Sequence, residues 1–161
     1  ILNYGVSGDD TSDLLKRFDK QAKKNNPYGI IIAIGGNDTQ FFIDKNRFRI
    51  DIKEFESNFD ILIKKAKQYT ENIIIIGLTN VDEQTINNEY IPKKNKFYKN
   101  ETIKKYDKLL EQISKDNNLK FIEVFDILDK NDFTDGLHPT SQGHIKLYNK
   151  IKNNISEKDF N

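Results

Sequence analysis

The chain has 161 residues, enough for one domain with a sizeable core. Hydrophobic residues make up 36% and charged residues 32%, a polar composition that still permits folding. Lys plus Arg number 26 and Asp plus Glu 25, so the net charge of +1 provides no basic field for nucleic acid. No apolar run approaches the ~20 residues of a membrane-spanning helix, and the absence of Cys excludes a disulfide framework, a thiolate zinc site and a cysteine nucleophile.

Residues 1–6 read as the end of a strand, closed by the turn-forming residues 5–9. The chain contains no Met and opens directly on this strand, which predicts the C-terminal part of a longer protein. Thr11 or Ser12 is expected to cap a helix to about Lys24, with Leu14, Leu15, Phe18 and Ala22 on one face. Pro27 ends it. Residues 29–34 are a continuous apolar run followed by Gly35, Gly36, Asn37 and Asp38, and such runs predict strands buried on both faces. Residues 39–52 read as a loop, and residues 53–69 as a helix burying Phe55, Phe59, Leu62, Ile63 and Ala66. Residues 73–78 predict another buried strand. The stretch 79–99 has no clean period and reads as a long polar loop, a feature often functional in a compact domain. A helix over 101–118 and a strand over 120–125 follow. After Thr134 to Pro139 comes a last helix expected to stack Ile145, Tyr148, Ile151 and Ile155.

This alternation predicts an α/β fold, a three-layer α/β/α sandwich with a parallel sheet in one domain spanning residues 1–161. Ligands of such folds bind beyond the carboxyl ends of the strands. That rule selects Ser7 and Gly8, then Gly36 to Asp38, then Asp135 to His138.

Asp135 lies three residues before His138 across a glycine, so its carboxylate can fold back onto Nδ1 and leave Nε2 as a general base. The same spacing also suits a plain surface turn. Asn37 could donate its amide to an oxyanion, or serve only as turn chemistry. Gly8 could offer its backbone N–H to the same oxyanion at the mouth of a helix, or simply bend the chain. Asp38, Phe41 and Phe42 are candidates to border an acyl pocket or to pack the loop. A nucleotide-binding reading lacks any glycine-rich phosphate motif. A metal reading of Asp135, His138 and His144 lacks further ligands at suitable spacing.

Residues 3–9 (Asn-Tyr-Gly-Val-Ser-Gly-Asp), 35–38 (Gly-Gly-Asn-Asp) and 135–139 (Asp-Gly-Leu-His-Pro) together resemble three of the four sequence blocks of the SGNH (GDSL-type) hydrolases. The resemblance covers nearly the whole chain. It implies a flavodoxin-like sandwich whose oxyanion donors match Gly8 and Asn37 and whose catalytic Asp and His match Asp135 and His138. It also implies hydrolysis of carboxylic esters of small molecules, lipids or sugars, with no cofactor or metal. The family's first block, a strand ending in Gly-Asp-Ser with the nucleophile, does not occur here. By analogy that first strand is missing from between the strands ending at Val6 and Ile34, and this chain alone is expected to be inactive. Ser7 and Ser12 do not sit where the family places its nucleophile. The alternative is a non-catalytic binding module that keeps the fold without the nucleophile.

Overall fold

The isoleucine runs form the centre of the molecule. The computed structural model describes residues 1–160, in which helix α1 (Thr11–Asn25) is followed by strand β1 (Ile30–Ile32) and the hairpin strands β2 (Phe41–Phe42) and β3 (Arg47–Phe48). Next come α2 (Ile52–Ala66), β4 (Ile73–Ile76), α3 (Glu83–Lys94) and β5 (Lys96–Phe97). The chain continues through α4 (Asn100–Asp116), β6 (Lys120–Ile122) and α5 (Ser141–Asn153). Strands β1, β4 and β6 make a parallel sheet in that order, with Ile30 opposite Ile73 and Ile74 opposite Lys120.

Because successive side chains of a strand point to opposite faces, the four isoleucines of β4 serve two cores. Ile73 and Ile75 face a large cluster with Phe18 of α1, Phe55, Phe59 and Leu62 of α2, and Tyr106 and Leu110 of α4. Ile74 and Ile76 join Ile122 and Val124 on the other face, where Leu147, Ile151 and Ile155 pack against them. The central strand β4 is therefore covered on both faces, as expected from its uninterrupted apolar run, whereas the run at residues 29–34 yields an edge strand, β1, that leaves Ile31 exposed. Short polar side chains start the helices: Asp10 accepts from the Asp13 N–H, Asp51 from the N–H groups of Lys53 and Glu54, and Thr140 from that of Gly143.

Several local expectations are corrected. Residues 1–6 form no strand: β1 is the edge of its sheet, and among the described residues nothing pairs with its outer side. Instead Arg17 Nη1 donates to the Tyr4 carbonyl at 2.7 Å. The stretch 39–52 contains the β2–β3 hairpin, which pairs with β5 in a small antiparallel sheet held by Phe41 stacked on Phe97 and edge-on to Phe48. The stretch 79–99 is mostly α3, capped by Asp82. In α5 the inward residues are Leu147 and Ile151, while Ile145 and Tyr148 are about half exposed at 50% and 59%.

Candidate active site

The Asp135–His138 loop closes on itself. One carboxylate oxygen of Asp135 accepts the N–H groups of Leu137 (3.0 Å) and His138 (2.8 Å), and the other lies 2.8 Å from His138 Nδ1. Burial pushes the Asp135 carboxyl up, but the bonds from the His138 backbone, the His138 ring and the Leu137 N–H outweigh it and hold it below its usual value. An ionised carboxylate at Nδ1 places a proton on that nitrogen, so in the neutral ring it is Nε2 that carries the lone pair. Gly136, at φ 84°, lies against the start of α3: a Cβ there would come within 2.6 Å of the Ile86 nitrogen. The loop is tied down by Asp82 N–H to Gly136 C=O at 2.9 Å and by Thr134 N–H to His138 C=O at 2.8 Å.

The other two loops meet each other. Val6 to Asp9 form a turn in which the Asp9 N–H reaches the Val6 carbonyl at 3.3 Å, with Gly8 at φ 85° and open space beside its Cα. Asn37 Nδ2 donates to the Asp9 carbonyl at 2.9 Å, and Asn37 Oδ1 accepts from Gln40 Nε2 at 2.9 Å. One amide hydrogen of Asn37 is thus used to hold the side chain, and the second remains to be donated.

Asn37 and His138 line the same cleft, of about 820 Å³, and Asp9 shares its wall. The cleft runs from these residues along the outer edge of β1, between residues 1–6 and α1, past Val6, Leu14 and Phe18. The structure therefore brings Asn37, His138 and the segment next to Gly8 to one rim. Gly8 itself lies beside this lining rather than in it. Ser7 does not line the cleft, and Ser12 is engaged by Asn58 and Glu54, so neither supplies a hydroxyl there. His144 sits in α5, away from the cleft lining.

Asp38, Phe41 and Phe42 do not border the cleft. Phe41 and Phe42 build the small sheet, and Asp38 is fully buried against α1, accepting from Thr11 N–H and Oγ1. Burial pushes its carboxyl up to about 6, against the opposing pull of the Thr11 bonds. Sequence reading also missed Arg49, whose guanidinium reaches the Gly8 carbonyl at 2.9 Å and Asp10 at 2.7 Å. Its partners lie far away in the chain, and nothing local distinguishes it from the neighbouring charges Asp44, Lys45, Arg47 and Asp51.

A family model, the GDSL-like lipase/acylhydrolase family, matches residues 1–145, and the chain belongs to that family. Its fold is that of several solved enzymes. An acetylxylan esterase from Geobacillus stearothermophilus, in a catalytic-mutant form, superposes with a TM-score of 0.74 at 21% identity, over 95% of this chain and 70% of its own. The lipase/acylhydrolase from Enterococcus faecalis gives 0.72 at 23% identity, over 94% and 72%. A GDSL-like lipase from Bacteroides thetaiotaomicron gives 0.70 at 22%, over 92% and 72%. No curated protein sequence matches the chain.

Proposed function

We propose that residues 1–161 are the C-terminal portion of one catalytic domain of a carboxylic ester hydrolase, in which His138 is the general base, Asp135 orients it, and Gly8 and Asn37 donate to the oxyanion. The observation that carries this reading is that Asn37 and His138 share one cleft while Asp135 secures Nδ1. A serine preceding this chain supplies the nucleophile, on a strand that occupies the part of the cleft along β1 and leaves the rim at Asn37 and His138 open to substrate. The unpaired outer edge of β1 and the exposed Ile1, Leu2, Val6 and Ile31 support that placement, since a parallel strand there would cover all of them.

His138 Nε2 takes the serine proton as the hydroxyl oxygen attacks the ester carbonyl, and Asp135 stabilises the imidazolium. The carbonyl π electrons move onto oxygen, which receives hydrogen bonds from the Gly8 N–H and the second Asn37 amide hydrogen. Collapse expels the alkoxide, which takes the proton back from His138. Water then attacks the acyl-serine by the same route, releasing the acid and restoring the hydroxyl. The substrate is an ester of a small alcohol, lipid or sugar. The acetylxylan esterase with the same fold acts on an acylated sugar polymer, which agrees with the sugar-ester option.

The test is covalent labelling by a fluorophosphonate together with ester turnover. The protein carrying the upstream serine should label and hydrolyse esters, and His138→Ala should lower turnover by about 10³-fold or more. Residues 1–161 alone should not label. A nucleophile-bearing protein that neither labels nor turns over esters would leave the binding-module reading in its place.

A further inference from the structure

We propose that Asp38 and Arg49 are positioning residues that lock the Gly8 turn and the Asn37 carboxamide into a single rigid anion-binding unit. This rests on the reading of Gly8 and Asn37 as oxyanion donors. The two groups belong to loops far apart in sequence, and Gly8 has little packing of its own. It lies at φ 85°, exposed, with nothing near its Cα. Something other than apolar contact must hold it, because a glycine free to move is a poor preorganised donor.

Polar links come from both sides of the Gly8 segment. On one side, both carboxylate oxygens of Asp38 accept the Thr11 N–H at 3.2 Å, and Oδ1 accepts the Thr11 hydroxyl at 2.5 Å. Asn58 Nδ2 donates to that hydroxyl oxygen at 2.8 Å, so the hydroxyl hydrogen is directed at Asp38. The first residue of α1 is thereby joined to the residue after Asn37. On the other side, Arg49 Nη2 donates to the Gly8 carbonyl at 2.9 Å and Nε to Asp10 at 2.7 Å. The Arg49 backbone is itself anchored on the Asn37 loop, its N–H donating to the Gln40 carbonyl at 2.7 Å and the Ile50 N–H to the Asp38 carbonyl at 3.2 Å. Asn37 Nδ2 to the Asp9 carbonyl closes the ring of links.

Every bond in this set crosses from one loop to the other or fixes a group that does. The charges are satisfied locally, since Arg49 faces Asp10 and Asp13, and buried Asp38 receives neutral donors. A polar network of this kind, buried at Thr11 and Asp38 and half-buried at Arg49 and Asn37, favours one geometry, which suits a donor pair whose spacing must match a single oxygen. Neither residue reaches the cleft lining, so both act through Gly8 and Asn37.

The experiment follows two signals in nitrogen–proton correlation spectra of the protein that carries the upstream strand: the Gly8 backbone amide and the Asn37 side-chain amide. Asp38→Asn and Arg49→Ala should each displace both signals while amides of α5 stay in place, and Arg49→Lys should restore them in part. Thr11→Val, close to the native shape, gives the same readout should Asp38→Asn fail to fold. In the protein that carries the nucleophile, Arg49→Ala should lower kcat on the order of 10²-fold with KM within about twofold. Signals that stay put in the Arg49 and Thr11 variants, or a loss confined to KM, would overturn the proposal. If that protein hydrolyses no ester at all, the catalytic reading falls instead, and the spectra still decide whether the two loops are coupled.

Discussion

Gly136 carries more of the site than its size suggests. Its φ of 84° and the 2.6 Å that a Cβ would leave to the Ile86 nitrogen both require glycine. Gly136→Ala should cost about 1–3 kcal/mol by equilibrium unfolding and displace the loop that carries His138. An unchanged midpoint would mean that the loop is not pressed against α3. At this scale the sequence is informative where chemistry is local. The Asp135–His138 pair is legible because a carboxylate three residues before a histidine, across a glycine, can fold back onto its ring, and Asn37 because it follows an apolar run and two glycines. Asp38 and Arg49 are not, since their partners Thr11, Gly8 and Asp10 meet them only in the folded chain.

Among the elements, the helices with a wide apolar stripe and the isoleucine strands follow directly from spacing. Helix α3 does not: only Ile86 and Tyr90 are buried, and Pro92 stands within it. Its start lies against Gly136 of the Asp135–His138 loop, and its later residues meet the segment after β5, Tyr90 packing on Tyr98 and Asn87 bonding to the Tyr98 backbone. Ile86 is fully buried, so Ile86→Ala should destabilise the fold by about 2–5 kcal/mol, read from chemical unfolding. A cost below about 0.5 kcal/mol would show that α3 is not part of the core. The strand expected at residues 1–6 illustrates the opposite failure: its apolar pattern is present, but a strand needs a neighbour, and the outer edge of β1 faces the cleft.

Among the described residues, burial pushes two carboxyls, Asp38 and Asp107, up to about 6. For such groups the folded state binds the proton more tightly than the unfolded chain. Their stabilising contribution is complete below about 3.8 and is lost as pH rises through about 6. Asp159, drawn down to about 2 chiefly by Lys120, acts in the reverse sense, and its contribution disappears only below about 3.8. Denaturant midpoints should therefore rise as pH is lowered from 7 to 5. Asp107→Asn should remove part of that rise, and an identical rise in the variant would contradict the assignment.

The most direct measurement is a crystal structure of the nucleophile-bearing protein after reaction with a phosphonate ester analogue. The phosphonyl oxygen should lie about 2.7–3.1 Å from both the Gly8 nitrogen and Asn37 Nδ2, with His138 Nε2 within hydrogen-bonding reach of the phosphonylated oxygen. A phosphonyl oxygen turned to solvent, or an imidazole directed away from Asn37, would contradict a single acyl-transfer site built from these three loops.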